Sequence, residues 1–317
     1  MISPIAVLES VLPVYLLLIA GVVLRKTGIL QREHDDGIMQ FTYTVLLPAF
    51  MLDKILGSAV LKSGSIVIWA ILLGFGLIMV GIIIGVIVGR LMGLERGNGM
   101  RTFALSAGCQ NFGFTAAPVV ESLWGGGALA LLFIHNIGVE IAMWSVGVIM
   151  MSGEKRIKWK YLVNGPIIAV AVGLILVLLH WDIYFTGPAR KAVSMIGAGA
   201  FPIAILITGC TMIDLVASER PTLRITLGSA LVRLVLAPLA ILSAAKFLPI
   251  PDALRQVLIV QAAMPAGMTA ILLARMYNGR PAIAVQIVIA TTALSFITLP
   301  WIITWGCQWM GLKPLLP

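Results

Sequence analysis

The chain has 317 residues, of which 60% are apolar and only 11% are charged. Since soluble domains contain about a quarter charged residues, this composition excludes a soluble globular protein and predicts an integral membrane protein. The net charge of +9 does not indicate nucleic-acid binding, because Lys and Arg are spread over short connections between apolar runs, as topology determinants are.

Ten stretches of the sequence have the roughly 20 apolar residues that a helix needs to cross a bilayer. We predict spans at 4–24, 37–56, 65–89, 100–122, 127–151, 161–181, 192–216, 224–247, 254–274 and 282–308. The predicted fold class is therefore an all-α polytopic membrane protein. Loops after odd-numbered spans hold 14 Lys and Arg, against 7 on the opposite side. The positive-inside rule thus predicts cytoplasmic odd loops and both termini on the outer side.

The two halves of the chain share a pattern of prolines and polar residues. Pro13 and Pro166 are 153 residues apart, and Pro48 and Pro202 are 154 apart. Five spans per half would invert one half relative to the other, as in many secondary transporters. We predict a first repeat over 1–151, a short connection over 152–160, and a second repeat over 161–317.

Polar residues and a proline interrupt the fourth and ninth spans. The fourth contains CQNFGFTAAPVVESL (109–123), and the ninth contains QAAMPAGMTA (261–270). Proline removes a backbone donor and clashes with the preceding turn, so both helices are predicted to break, near Pro118 and Pro265. Irregular backbone at this depth indicates a binding site, because it is tolerated where it lines a cavity.

The ninth span carries the most specific motif, VQAAMPAGMTAILLARMYNGR (260–280). It resembles the pattern QAA-x-P-x-G, followed by an apolar run ending in A-x-x-Y-N, of the auxin efflux carrier family. This family includes plant PIN-type carriers and bacterial carriers of carboxylates such as malonate. Asn111 followed by Pro118, and the closing ATTALSFITLP, are also similar to that family. The matching positions are Gln261, Ala262, Ala263, Pro265, Gly267, Ala274, Tyr277 and Asn278.

The resemblance implies an elevator-type secondary transporter in the bacterial inner membrane, acting as a homodimer. It implies a scaffold of spans 1, 2, 6 and 7 and a moving unit of spans 3–5 and 8–10, with the substrate carboxylate at the crossing of spans 4 and 9. Three differences favour a bacterial carboxylate carrier over an auxin carrier, one of which is that span 3, from Ile66 to Gly89, has no ionisable residue. The long central loop is missing, and Gln110 stands where plant members carry proline.

Polar residues near the two breaks are the candidate binding residues, because half-helix N-termini and amides attract a carboxylate. The alternative is that the amides only tie helices together. Glu140 and His135 in span 5 are proton-coupling candidates, since ionisable groups within a membrane usually face a cavity. The substrate-binding candidates are Gln110, Asn111, Pro118, Gln261, Pro265, Gly267, Thr269 and Asn136.

Several alternatives remain at this stage. Asp214 and Arg233 are predicted near the cytoplasmic ends of spans 7 and 8, either snorkelling or paired with each other, although Arg233 is also a candidate to neutralise an incoming anion. The leading function is a secondary carrier of a small organic anion, with proton coupling considered first. Sodium-coupled symport and potential-driven uniport are alternatives. A channel or a membrane-embedded enzyme is disfavoured, because filter-like glycine runs and HExxH or GxSxG motifs are absent from the sequence.

Overall fold

The computed structural model describes residues 3–95, 97–153, 163–216 and 222–315. In these ranges the chain is helical, and its helices are numbered here in chain order. They are α1 Pro4–Lys26, α2 35–55, α3 Gly64–Leu91, α4 Met100–Gly108, α5 Ala116–Trp124, α6 Gly126–Ser152, α7 Gly165–Leu178, α8 Gly187–Gly197 continuing as Ala200–Val216, α9 Leu223–Phe247, α10 Asp252–Ala263, α11 Thr269–Met276 and α12 Pro281–Met310.

Six of these helices, α1, α3, α6, α8, α9 and α12, are long and apolar enough to cross a membrane. All but α8 begin and end within two residues of the predicted limits. The prediction of an all-α polytopic membrane protein is confirmed, whereas the count of ten crossings stays a prediction. Of the predicted connection 152–160, Ser152 ends α6 and Gly153 follows it, while 154–160 lies outside the described residues.

Both predicted interruptions are present as breaks between two helices. The first break covers 109–115, between α4 and α5, and the second covers 264–268, between α10 and α11. Pro118 lies in the first turn of α5, where the missing N–H costs nothing, so the chain unwinds before the proline. The breaks divide each apolar run into two short helices whose four ends meet inside the bundle.

The helices pack as two groups. In the first group, α1 lies along α8, and α2 packs against α7 and the first part of α8. In the second group, α3 lies along α6 and α4, while α9 and α12 pack against each other and against α10. The division into inverted repeats, and the roles of scaffold and moving unit, stay predictions.

Glycines let backbones touch within each group. A Cβ atom added at Gly81 would lie 2.2 Å from the Gly108 carbonyl oxygen, so α3 and α4 are in direct backbone contact. An added Cβ at Gly138 would lie 2.0 Å from the Ile71 carbonyl oxygen, which joins α6 to α3 in the same way. In the first group, Gly21 holds α1 against the backbone of α8. These glycines fix the helix spacing more tightly than side-chain packing would.

Three of the long helices contain a π-helical turn, at Thr42–Leu46 in α2, Met143–Gly147 in α6 and Val232–Leu236 in α9. Such turns insert an extra residue and re-aim the side chains around them, and they are frequent at functional sites. These turns contain Tyr43, Trp144 and Arg233, whose contacts are described below.

Candidate functional site: the helix crossing and its cavity

The two breaks pair with each other as a short antiparallel bridge between Gln110 and Ala266. The Asn111 N–H donates to the Pro265 carbonyl at 2.7 Å, and the Gly267 N–H donates to the Cys109 carbonyl at 3.0 Å. Unwound backbone in a membrane interior must find partners, because no water is available to it. Each break therefore supplies hydrogen-bonding partners for the other.

Two further residues hold the second break in place. A Cβ atom added at Gly267 would lie 2.7 Å from the Gln110 carbonyl oxygen, so only glycine fits beside the first break without a shift. The Thr291 hydroxyl, on α12, accepts a hydrogen bond from the Ala266 N–H at 3.1 Å and donates to the Ile287 carbonyl. Thr291 was not among the predicted site residues, and it acts by fixing backbone.

An amide cluster supports the first break from α6 and α10. The Phe112 carbonyl accepts from Asn136 Nδ2 at 2.9 Å and from Gln261 Nε2 at 3.3 Å. Gln261 Nε2 also lies 3.3 Å from Asn136 Oδ1. Because Gln261 is fully buried and Asn136 is 8% exposed, these bonds form away from solvent, where an unmade bond is costly. The cluster joins both breaks to the helix that carries Glu140.

A cavity of about 590 Å³ extends from the crossing towards one end of the bundle. That end is where α1 and α11 terminate and α2 and α7 begin, which is the side of the odd-numbered loops. Its walls are largely apolar and aromatic, with neutral polar groups at the crossing and charged groups at the outer end. Tyr43 and Phe114 meet edge to face in the wall, with ring centroids 5.7 Å apart.

The predicted site residues divide into two sets. Pro118, Gln261, Pro265 and His135 do not line the cavity, and Gln261 and Pro265 instead support the crossing. Six of the ten do line it: Gln110, Asn111, Asn136, Glu140, Gly267 and Thr269.

Gln110 has an unusual environment for an amide. Its side chain is 1% exposed and lines the cavity, yet neither its Nε2 nor its Oε1 has a hydrogen-bond partner among the described residues. By contrast, the neighbouring Asn111 Nδ2 donates to the Thr115 hydroxyl at 2.8 Å. A buried, unpartnered donor and acceptor on a cavity wall are available to a ligand, and they cost stability until they are used.

The two ionisable candidates of α6 differ in their access to the cavity. Glu140 lines it, and its Oε2 accepts a hydrogen bond from Trp144 Nε1 at 2.7 Å. His135 is fully buried beside Asn136, with 3.5 Å between His135 Nδ1 and Asn136 Oδ1, and it does not reach the cavity. Asn136 and Glu140, one turn apart on α6, both line the cavity.

Charged residues surround the outer part of the cavity. Asp35, Asp36 and Arg275 line it, and Asp35 is paired with Arg25 of α1. Arg25 Nε also lies 3.2 Å from Asp214 Oδ2. The predicted pairing of Asp214 with Arg233 is therefore wrong, since Asp214 is held by the arginines at the end of α1 and the following loop.

Arg233 lies at the crossing and not near a membrane surface, so its predicted depth is also wrong. It is ten residues into α9, which corresponds to about 15 Å along the helix axis. This depth could have been predicted from the sequence by counting residues from the start of the span. Its guanidinium donates to the Gly108 carbonyl at 3.3 Å and lies 3.5 Å from the Ala262 carbonyl. It is fully buried and does not line the cavity.

Among the described residues, no group of three or more His, Cys, Asp or Glu side chains is placed to hold a metal ion. The groups that converge on the crossing are instead amides, hydroxyls, backbone N–H groups and helix ends. This donor set suits an organic ligand with hydrogen-bonding and anionic groups.

Comparison with known proteins identifies the family of the chain. A family model described as membrane transport protein matches residues 6–303. A relative from Methanothermobacter thermautotrophicus, described as an uncharacterized transporter, is 24% identical over 298 residues, covering 92% of this chain and 96% of the relative. The family match confirms the resemblance seen in the ninth-span motif. The chain belongs to the membrane transport protein family, which is auxin efflux carrier-like, and it is a multi-pass membrane transporter.

Proposed function

We propose that the protein is a secondary active transporter of a small organic anion, whose carboxylate binds at the crossing of the two broken helices. Gln110 and Asn111 contribute amides, and Met268 and Thr269, which follow the bridged Gly267, contribute backbone N–H groups at the start of α11. In this proposal the second helix group moves as an elevator against the first, and the protein works as a homodimer in the bacterial inner membrane with both termini outside.

One observation supports the proposal most strongly: an unpartnered, buried amide and two helix N-termini share the inner end of one cavity. Gln110 has no side-chain partner among the described residues. Residues preceding α5 and α11, namely Gly113, Phe114, Gly267 and Met268, line the same cavity. Exposed N–H groups and the positive helix dipole favour an anion there. A carboxylate of malonate or malate size is the ligand class that this set of donors suits.

Proton coupling is the form of energy coupling that the cavity favours. Glu140 is the ionisable group on its wall closest in sequence to the Asn136 amide cluster, and its carboxyl group is held by Trp144. Sodium-coupled symport has less support, because no carboxylate cluster surrounds the crossing among the described residues. Potential-driven uniport requires no coupling residue and is separated from symport by the second experiment below.

Transport of labelled malonate and labelled acetate into proteoliposomes tests the proposal. We expect saturable uptake and counterflow. We expect Asn111→Ala to reduce uptake by about tenfold or more, because the hydrogen bond between the Asn111 amide and the substrate carboxylate is removed. Asn98→Ala is the control, since Asn98 is exposed in a loop outside the cavity. Wild-type apparent affinity and rate in Asn111→Ala would exclude the crossing as the site. Non-saturating current would indicate a channel.

A second experiment isolates the coupling. Glu140→Gln keeps a hydrogen-bond acceptor for Trp144 and removes the titrating group, so uptake is expected to lose its response to an imposed pH gradient while substrate binding persists. Glu121→Gln is the matched control, because Glu121 pairs with Lys54 at 2.6 Å and lies outside the cavity. An unchanged gradient response in Glu140→Gln would eliminate Glu140 as the coupling residue.

A further inference from the structure

Arg233 is a buried cation without a carboxylate partner among the described residues. Its side chain is fully buried and forms no ion pair there, and Nε has no hydrogen-bond partner in the same part of the chain. A charge buried in a membrane protein is costly unless something compensates it. Compensation must therefore come from groups other than acidic side chains.

The compensating groups are the C-terminal ends of two helices. Gly108 is the last residue of α4, and Ala262 is the penultimate residue of α10, and the guanidinium faces both carbonyls. A helix C-terminus presents unsatisfied carbonyls and a charge of about −0.5. Two such ends carry about one negative charge, which the single charge of Arg233 cancels. The π-helical turn Val232–Leu236 contains Arg233 and sets its direction.

The positive N-terminal ends of the other two helices at the crossing, α5 and α11, are not neutralised in this way. The N-termini of α5 and α11 begin just after the residues that line the cavity, and each carries about +0.5 of a charge. With the C-terminal ends cancelled, about one positive charge remains directed at the cavity. The unpartnered amide of Gln110 lies at the same place.

We infer that Arg233 is a positioning and specificity-determining residue, which acts from behind the crossing to make the cavity an anion site. It does so by cancelling the negative ends of α4 and α10 without touching the ligand. This role rests on the proposed carboxylate function. It differs from the prediction that Arg233 neutralises an incoming anion directly, since the guanidinium faces the Gly108 and Ala262 carbonyls and does not line the cavity.

The test measures binding of malonate and of its half ester, monomethyl malonate, to purified full-length protein by titration calorimetry. In Arg233→Met the charge is removed, so affinity is expected to fall about tenfold or more for the half ester and by a larger factor for malonate, because electrostatic loss grows with ligand charge. Arg233→Lys retains the charge and is expected to bind both ligands within about threefold of wild type. A purely structural defect would weaken both ligands equally.

Arg255→Met is the matched control. Arg255 also donates to a helix carbonyl, that of Ala245 at 3.1 Å, but it is paired with Asp252 away from the crossing. Equal loss for both ligands in Arg233→Met, or wild-type affinity in that variant, would overturn the inference. Failure of both Arg233 variants to fold would assign the residue a packing role and overturn it too. Absence of binding in the wild type would instead refute the carboxylate function on which it rests.

Discussion

The two breaks of the crossing have similar positions in the bundle but different chemistry. The first break, 109–115, supplies side chains: the amides of Gln110 and Asn111 face the cavity, and Thr115 holds the Asn111 amide. The second break, 264–268, supplies backbone: the Pro265 carbonyl and the Gly267 N–H complete the bridge, and its main side-chain support comes from α12. In the proposed site the first break therefore offers side-chain amides, and the second break holds the first through backbone hydrogen bonds.

This division means that substitutions in the two breaks have separable consequences. Changes in the first break should alter ligand binding more than stability, since the Gln110 amide has no partner to lose among the described residues. Changes in or behind the second break should alter the fold of the crossing first and binding only as a result. The following predictions test that separation, beginning with the largest effect.

Gly267→Ala has the largest expected effect. The new Cβ would lie 2.7 Å from the Gln110 carbonyl oxygen, so the bridge must open or shift. We expect the free energy of unfolding in detergent to fall by about 1–3 kcal/mol, as overpacking usually costs, and transport to be lost. Thermal unfolding of the purified protein and proteoliposome uptake measure the two effects.

Gly113→Ala is the control in the other break, because nothing lies within 4 Å of an added Cβ there. Its thermal unfolding is expected to match that of the wild type. Equal destabilisation by the two alanines would show that the second break is no more tightly constrained than the first.

A pair of glutamines provides the next comparison. Gln261 donates to Phe112 and Asn136, whereas the Gln110 amide has no partner among the described residues. Gln261→Met is expected to lower stability by about 1–2 kcal/mol, because a buried hydrogen-bond donor is lost. Gln110→Met, of similar size, is expected to leave stability unchanged or higher, yet to weaken malonate binding. Malonate binding by calorimetry and thermal unfolding are measured on both variants. Loss of stability in Gln110→Met, with loss of binding alone in Gln261→Met, would contradict the separate roles of the two residues.

Thr291→Val has the smallest expected effect. The substitution keeps the branched shape and removes the acceptor of the Ala266 N–H, so the second break loses one backbone hydrogen bond. We expect a loss of about 1 kcal/mol in stability and a modest decrease in uptake. Thr292→Val, at a neighbouring position that is 8% exposed, is the comparison variant. If the two variants unfold at the same temperature, the Thr291 contact contributes nothing measurable.

Much of the fold follows from sequence patterns because membrane burial imposes length and composition on each helix. The apolar runs predicted α1, α3, α6, α9 and α12 within two residues, and Pro118 and Pro265 predicted the two breaks. In both cases the controlling physics is local. A helix must be long enough to cross, and a proline ends hydrogen bonding to its preceding turn.

The direction in which a side chain faces depends on long-range packing, and sequence patterns predicted it less well. Gln261 and Asn111 were both predicted to bind substrate, yet only Asn111 lines the cavity. The π-helical turns alter the helical register around Tyr43 and Arg233, and no periodicity in the sequence indicated them. Thr291 becomes recognisable only once the Ala266 N–H is known to need a partner.

The glycine contacts of the fold have a mechanical consequence. Among the described glycines, an added Cβ comes within 3 Å of another helix's backbone only inside a single group, as at Gly81 with α4 or Gly21 with α8. Between the groups, the polar contacts of the described residues are made by side chains, such as that of the Tyr15 hydroxyl on α1 with Ser295 on α12. Close backbone contacts between helices resist sliding, whereas contacts made by side chains can break and form again. In the proposed elevator motion, shear would therefore fall between the two groups and leave the backbone contacts within each group intact.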